Sequence, residues 1–339
     1  MDYSQILSQQ FNIKEEYAKN IIALLDDGNT IPFIARYRKE MHGSMDDQLI
    51  REFAEKLEYL RGLDKRRDEI RSLIDAQEKL TDEINLALDK AATLSELEDI
   101  YRPYRPKRKT RASIAKEKGL EPLANDILKQ EKGFDPSKSA VDYIDEEKGV
   151  TSVEDAIQGA MDIIAELVSD NAEIRKRIRN LTNANGVLVS VATDEEKDSV
   201  YKNYYDYKEP VKKIAGHRVL AVNRGEKEGF LKVSVETDSE KPLNSIFRAM
   251  ITDKNQLCSD IIREACTDAY QRLIYPSIER EVRNDLTDTA AENAMKVFAV
   301  NLKQLLMQPP VKGKTVLALD PGYLSLIHIS EPTRHLRIS

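Results

Sequence analysis

Apolar residues recur at helical spacing along most of this 339-residue chain. The longest stripe starts just after Ser44, runs from Leu49 to Ile74, and predicts one helix of about 45 Å with Ser44 and Asp47 at its cap. A second stripe, from Val153 to Leu181, predicts another long helix. Further helices are predicted from a cap at Asn12 to Gly28, and near residues 81–91, 94–101, 255–274 and 278–307. The pattern predicts a mainly α, elongated protein.

Three short runs depart from this helical pattern. VLVSV at 187–191 and the alternating FLKVSVE at 230–236 predict two strands, and therefore a small β insertion between long helical segments. TVLALD at 315–320 is apolar throughout, as in a strand buried on both faces, and a Pro-Gly turn follows it.

Composition narrows the class of protein. The net charge is −7, aromatic residues make up 6%, and Trp is absent, which favours helices over sheets. The N-terminus lacks the features of a signal peptide, and no window of 18 residues is apolar, so we expect a cytoplasmic protein with no membrane partner. Cys258 and Cys266 lie eight residues apart in one predicted helix, too far to pair, and should be reduced thiols.

One stretch is strongly basic despite the acidic total. Residues 101–118, the basic segment, hold eight Lys or Arg and one Glu, and two prolines prevent a regular helix. These cations can contact phosphates while Tyr101 and Tyr104 stack on unpaired bases. Alternatively, the tyrosines pack on helices and the cations pair with the protein's own carboxylates. The candidate nucleic-acid-binding residues are Arg102, Tyr104, Arg105, Lys107, Arg108, Lys109 and Arg111.

A second, shorter motif is TIPFIARYRKE at 30–40. Its cations, Arg36, Arg38 and Lys39, are secondary candidates for RNA contact. Arginines also form bidentate pairs that join helices, and the neighbouring Pro32, Phe33 and Ile34 favour such a packed junction.

The remaining candidate residues have plainer interpretations. The tyrosines at 201, 204, 205 and 207 favour packing of a small sheet on helices over base stacking. His42 and His217 have no partner at metal-ligand spacing and are expected to be packing or surface residues. We expect no metal, no cofactor and no catalytic residue.

Four stretches give the chain a family resemblance. TIPFIARYRKE at 30–40, YRPYRPKRKTRASIAKEKGLEPLA at 101–124, HRVLAVNRGEKEGFL at 217–231 and VLALDPGY at 316–323 resemble the bacterial Tex family of transcription accessory proteins. The resemblance covers residues 1–323. It implies a helical N-terminal half with a helix-turn-helix-like part, then a YqgF domain of RNase H-like fold, helical hairpins and a C-terminal S1-type RNA-binding domain.

The resemblance also implies a function. A family member is a non-catalytic factor that binds RNA or single-stranded nucleic acid, largely through the C-terminal domain, and acts with RNA polymerase or ribosomes. The present chain is then the scaffold half. The alternative is a YqgF-type, Mg²⁺-dependent nuclease or resolvase, in which Asp320 would be one metal ligand. One carboxylate cannot hold a two-metal site, and Asp320 also suits a turn, so we expect no catalysis.

The predicted organisation has four parts. Residues 1–185 form the N-terminal helical domain, 186–310 the central region with its β insertion, and 311–323 the opening strand of a truncated YqgF domain. Residues 324–339 begin LSLIHISEPTR, which matches the translation of a transposase adapter used in sequencing libraries. We therefore expect this tail to be absent from the natural protein.

Overall fold

The computed structural model describes residues 2–106, 109–252, 254–309 and 313. Helices dominate it, and the predicted mainly α fold with a small sheet is confirmed. The predicted strand at 315–320, Asp320 and the tail at 324–339 lie outside the described residues. The helices are α1 (Tyr3–Phe11), α2 (Glu15–Asp26), α3 (Ile31–Tyr37), α4 (Asp47–Asp75), α5 (Asp82–Lys90), α6 (Leu94–Tyr101), α7 (Arg111–Glu117), α8 (Glu121–Lys129), α9 (Pro136–Ala140), α10 (Val153–Asp170), α11 (Ala172–Asn185), α12 (Gly216–Lys227), α13 (Glu240–Met250), α14 (Gln256–Asp268) and α15 (Tyr275–Leu306).

The first six helices build two adjoining cores along α4, the predicted long helix. Leu7, Ile21 and Ile34 pack against the first half of α4, whereas residues of α5 and α6 pack against its second half. Two predicted caps were wrong. Asp46, and not Ser44, caps α4 by accepting the Leu49 N–H at 2.8 Å. Asn12 does not begin α2 but ends α1, in the left-handed conformation that asparagine tolerates.

The second predicted long helix is two helices. Asn171 lies between α10 and α11, with ψ of 112°, and its side chain accepts the N–H of Ile174 at 3.1 Å. An asparagine that caps a new helix offers the backbone an alternative to continuing the old one. Because apolar residues keep their helical spacing on both sides of Asn171, the spacing alone did not predict the break.

The sheet has three antiparallel strands in the order β2-β1-β3: β1 (Val187–Ala192), β2 (Asp206–Pro210) and β3 (Leu231–Glu236). The two predicted strands that lie within the described residues are present, paired with Leu188 opposite Val235. Strand β2 was not predicted. None of its residues is fully buried, so its sequence, DYKEP, has no apolar alternation.

The largest core joins α7–α11 to α13–α15, including the buried thiols Cys258 and Cys266, which are unpaired as predicted. The predicted break near residue 276 is absent. A π-helical turn, Ala269–Ile274, connects α14 to α15 without interruption. Pro276 has no N–H to donate to the preceding turn, and a π-helical turn just before it changes the hydrogen-bond pattern there.

The chain divides into two compact units, Met1–Ala290 and Ala291–Ser339. In the second unit the last turns of α15 expose apolar side chains such as Met295 and Phe298. No helix in the described ranges is both long and apolar enough to cross a bilayer.

Candidate nucleic-acid interface

The basic segment begins at a buried group of charges. Asp99 of α6 accepts from Arg175 Nε through Oδ1 and from Arg179 Nη2 through Oδ2, each at 2.6 Å. Glu281 of α15 accepts from Arg175 Nη2 at 2.8 Å and from Arg179 Nε at 2.9 Å. Two carboxylates thus bridge two guanidinium groups, and Ser277 accepts a further bond from Arg175 at 3.0 Å. We call Asp99, Arg175, Arg179 and Glu281 the ionic core.

The ionic core joins helices that are distant in sequence. Its members lie on α6, α11 and α15, and the Arg175 side chain is fully buried. Burial acts to lower the pKa of Arg179. The negative charges of Asp99 and then Glu281 act to raise it, and together they outweigh burial, so the pKa of Arg179 is raised. The end of α6, from which the basic segment departs, is therefore fixed on the central helices.

Arg102 adjoins the ionic core. It is half-buried and pairs with Asp170, the last residue of α10, at 3.5 Å. Burial, followed by the nearby positive charge of Arg175, lowers the pKa of Arg102. Of the two interpretations of the basic segment, internal pairing therefore describes Arg102.

The basic segment is anchored a second time where α7 begins. The Thr110 hydroxyl accepts the Ser113 N–H at 3.0 Å, and the Ser113 hydroxyl accepts the Thr110 N–H at 2.8 Å. The Thr110 hydroxyl also donates to Glu166 of α10 at 3.0 Å. This reciprocal cap fixes the start of α7 against α10.

Between the two anchors the candidate residues differ in exposure. Tyr104 is half-buried, and its carbonyl accepts a bond from Gln77 at 2.9 Å. Arg105 is 61% exposed and lies 3.7 Å from Glu98. Lys109 is exposed, whereas Lys107 and Arg108 lie outside the described residues. The Arg105 and Lys109 side chains are therefore accessible to a ligand.

A cleft of about 710 Å³ runs beside this segment. Its cations include Lys79, Arg105 and Lys116, and its carboxylates are Glu166 and Asp170. The two carboxylates hold Thr110 and Arg102, as described above. Two of the cations pair with carboxylates outside the cleft lining, Arg105 with Glu98 at 3.7 Å and Lys116 with Glu121 at 3.2 Å.

Arg111, the last candidate of the segment, is exposed at the first position of α7. The positive end of a helix dipole disfavours a cation at this position. Nearby Asp162 offsets part of that cost. Burial raises the pKa of Asp162, while Arg272 and Arg111 act in the opposite direction.

Tyr101 does not offer a ring for base stacking. Only 5% of the residue is exposed, and it packs in the core formed by α4, α5 and α6. The Arg66 guanidinium lies 5.8 Å from the centre of its ring. Of the two alternatives for Tyr101, the structure shows packing, because its position on the last turn of α6 places it in that core.

The secondary candidates lie on the surface. Arg36, Arg38 and Lys39 are exposed at the end of α3, whereas Ile34 on the same helix is fully buried. The motif is thus a packed helix, as its apolar residues predicted, and its cations are exposed, with Arg38 beside the Phe33 ring.

The tyrosines of the β insertion pack, as predicted. Tyr201 is buried beside Phe230, with the ring centres 5.8 Å apart, and Tyr204 meets Tyr207 edge to face at 5.3 Å. His42 is a buried packing residue, and His217 is on the surface.

Little in the sequence indicates the ionic core. Asp99 lies 76 residues from Arg175 and 80 from Arg179. The one local signal is that Arg175 and Arg179 are four residues apart on a helix and share a face. Among the described residues, no three His, Cys, Asp or Glu side chains form a group suited to a metal ion.

The fold and this site define a mainly helical protein in which a basic segment is held between two sets of helices. Two family models match it. A Tex-like protein N-terminal domain matches residues 1–75, and a Tex central region-like domain matches residues 131–298. The chain belongs to the Tex family, as its motifs indicated.

Relatives occur in bacteria and in animals. The chain is 44% identical over 330 residues to the uncharacterized protein YdcI of Bacillus subtilis, and 36% identical over 334 residues to the transcriptional accessory protein Tex of Neisseria gonorrhoeae. It is 32% identical over 340 residues to human S1 RNA-binding domain-containing protein 1. Each match covers 95% of this chain but only 46%, 43% and 34% of the relative. The chain thus spans less than half the length of these relatives.

Proposed function

We propose that this chain is the scaffold part of a transcription accessory factor that binds RNA, and that its basic segment contacts the nucleic acid without catalysing a reaction. One observation carries the proposal. The segment is anchored beside the ionic core and again at the Thr110 cap, while Arg105 and Lys109 between these anchors and Arg111 just after the cap are exposed. Cations on a fixed support keep their spacing, which reduces the entropy lost on binding phosphates.

The relatives agree with the proposal. One is named a transcriptional accessory protein and another an S1 RNA-binding domain-containing protein. We propose that the intact factor also carries a YqgF domain and an S1-type domain, with most of its RNA affinity in the latter, and acts in the cytoplasm with RNA polymerase or the ribosome. The scaffold part then adds phosphate contacts and positions the factor.

Salt-dependent binding tests the role of the basic segment. The chain with Arg105, Lys109 and Arg111 all changed to Gln should bind a fluorescein-labelled 20-nucleotide RNA more weakly in fluorescence anisotropy. The slope of log K against log salt should fall by about 2, because each phosphate contact on a single strand contributes about 0.7.

The matched control changes three other exposed lysines, Lys132, Lys138 and Lys148, to Gln. It removes the same charge, so an equal loss in both triple variants would show only a general charge effect and would refute the assignment. Incubating the labelled RNA with the chain and Mg²⁺ checks the absence of catalysis. Cleavage products that increase with time would contradict it.

A further inference from the structure

Helix α3 buries one face and exposes another. Ile34 is fully buried in the N-terminal core, and Ile31 and Ala35 pack partly against it. Arg36 and Tyr37 are exposed on this helix, and Phe33 is half-buried. Tyr37 is 59% exposed, a high value for so large an aromatic residue.

The exposed face combines aromatic rings with cations. The ring centres of Phe33 and Tyr37 lie 5.4 Å apart at an angle of 43°, and the Arg38 guanidinium lies 5.5 Å from the centre of the Phe33 ring. Arg36 and Lys39 flank these groups and are exposed. Over the described part of the chain, no ion pair joins Arg36, Arg38 or Lys39 to a carboxylate.

Hydrogen bonds from buried or partly buried side chains hold the turn that follows α3. The buried His42 Nε2 lies 3.1 Å from the Ile34 carbonyl oxygen, which also accepts the Arg38 N–H at 3.0 Å. Asn20 donates to the Met41 carbonyl at 3.1 Å. These bonds fix the backbone that carries Arg38 and Lys39.

A glycine allows the turn to pass close to α2. Gly43 has φ of +65°, and a Cβ placed there would lie 2.6 Å from the Tyr17 ring. A side chain at this position would therefore be strained by both conformation and space. The turn is a packed part of the N-terminal core, so its cations are supported by rigid structure.

We propose that Arg36, Tyr37, Arg38 and Lys39, together with Phe33, form a binding site for single-stranded nucleic acid. We call this surface the α3 patch. Tyr37 stacks on an unpaired base, and the three cations contact the phosphates on either side. Base stacking on an aromatic ring requires a base free of its helix, so the α3 patch favours single strands over duplexes. The proposal concerns a different site from the basic segment.

The test replaces the stacking ring. Fluorescence anisotropy with a labelled 20-nucleotide single-stranded RNA should show about tenfold weaker binding for Tyr37→Ala, within the range measured for loss of one base–aromatic contact. Tyr37→Phe should retain the wild-type affinity because the ring remains. Binding of a 20-base-pair duplex should not change.

Tyr59 of α4 is the matched control, since it is 45% exposed and also has a cation, Lys56, 4.7 Å from its ring centre. Tyr59→Ala should bind the single strand as the wild type does. Changing Arg36, Arg38 and Lys39 to Gln should lower the salt slope by about 2. Wild-type affinity in Tyr37→Ala, equal losses in Tyr37→Ala and Tyr59→Ala, or no single-strand binding by the wild type would each overturn the α3 patch.

The two proposals fail separately. If the α3 variants weaken binding and the triple change of Arg105, Lys109 and Arg111 does not, the α3 patch stands and the role of the basic segment falls. The reverse result removes the α3 patch alone. Cross-linking of 4-thiouridine RNA, followed by mass spectrometry, identifies the bound region independently, and a cross-linked peptide containing Tyr37 is the expected product.

Discussion

The ionic core and the α3 patch are both rich in arginine, yet their arginines have opposite environments. In the ionic core the Arg175 side chain is fully buried, and Asp99 and Glu281 accept its bonds. In the α3 patch Arg36 and Arg38 are exposed, and the Arg38 guanidinium lies 5.5 Å from the centre of the Phe33 ring. A buried guanidinium requires carboxylates to offset its lost hydration, whereas an exposed one keeps its water and can exchange it for a ligand.

The comparison separates two uses of one residue type. The ionic core joins α6, α11 and α15, so its charges serve the fold. The α3 patch contributes little to packing, so its charges are available for binding. Variants in the ionic core should therefore change stability first, and variants in the α3 patch should change binding first.

The largest effect is expected for Asp99→Ala. This change removes one of the two carboxylates that Arg175 and Arg179 share, and the more deeply buried one, and should lower the free energy of unfolding by about 3–5 kcal/mol. Urea unfolding followed by circular dichroism measures the loss. The control is Asp26→Ala, because Asp26 also binds an arginine, Arg61, at 2.7 and 2.8 Å but is 48% exposed.

Asp26→Ala should cost less than about 1 kcal/mol, as exposed ion pairs do. Equal losses in the two variants would mean that burial does not distinguish these pairs. If Asp99→Ala does not fold, Glu281→Gln is measured instead, because it keeps a hydrogen-bond acceptor for the arginines. Its loss in unfolding free energy is expected to lie between those of Asp99→Ala and Asp26→Ala. A loss no greater than that of Asp26→Ala would then also contradict the comparison.

The second prediction exchanges arginine for lysine. Arg175→Lys keeps the charge but cannot reach Asp99, Ser277 and Glu281 together, and should destabilise the chain by about 2–3 kcal/mol. Arg111→Lys, on the exposed start of α7, should change stability by less than about 0.5 kcal/mol. Urea midpoints compare the two variants. If Arg175→Lys is as stable as the wild type, charge alone holds the ionic core.

Within the described residues, sequence patterns predicted most of the helices and two of the three strands, because buried faces repeat at fixed intervals. Two of the missed elements lack such a face. Strand β2 has no fully buried residue, and α12 carries polar residues among its buried Val219 and Val222. The break at Asn171 was missed because its capping bond leaves the apolar stripe intact.

The candidate sites were predictable only in part. Runs of cations are visible in the sequence, but whether each one is paired depends on carboxylates distant in the chain. Arg102 meets Asp170, 68 residues away, and no local pattern indicates that contact. The burial of Tyr101 likewise depends on the position of α6 against α4. The α3 motif was predicted to pack, but only the structure shows that its cations Arg36, Arg38 and Lys39 are exposed.

A smaller, pH-dependent effect is expected at Glu96, near the ionic core. Glu96 accepts from Lys176 at 2.7 Å and from the Ala92 N–H at 2.8 Å, and these bonds, with that of Lys176 the stronger, lower its pKa below the usual 4.5. When folding lowers the pKa of a carboxyl group, its ionisation stabilises the fold fully at a pH above the pKa of that group in the unfolded chain. This stabilisation is lost as the pH falls through the pKa of the group in the folded chain.

Glu96→Gln should therefore lower the free energy of unfolding at pH 7 by about 0.5–1 kcal/mol, since the Glu96 side chain is 22% exposed and partly screened by solvent. The difference from wild type should shrink as the pH falls below 4. Urea midpoints at pH 7 and pH 3.5 measure both values. A difference that persists undiminished at pH 3.5 would show that shape, and not charge, makes Glu96 stabilising.

The smallest effects on stability are expected in the α3 patch itself. Arg38→Ala removes the contact with the Phe33 ring and should cost about 0.5 kcal/mol, as exposed cation–π pairs do, while Arg36→Ala should cost less. Thermal unfolding at a constant protein concentration measures both. If either variant costs as much as Arg175→Lys, the α3 patch is structural and its cations are not free for a ligand. If the stability losses of both variants are small while their binding to single strands weakens, the arginines of the ionic core and of the α3 patch differ in function as they differ in burial.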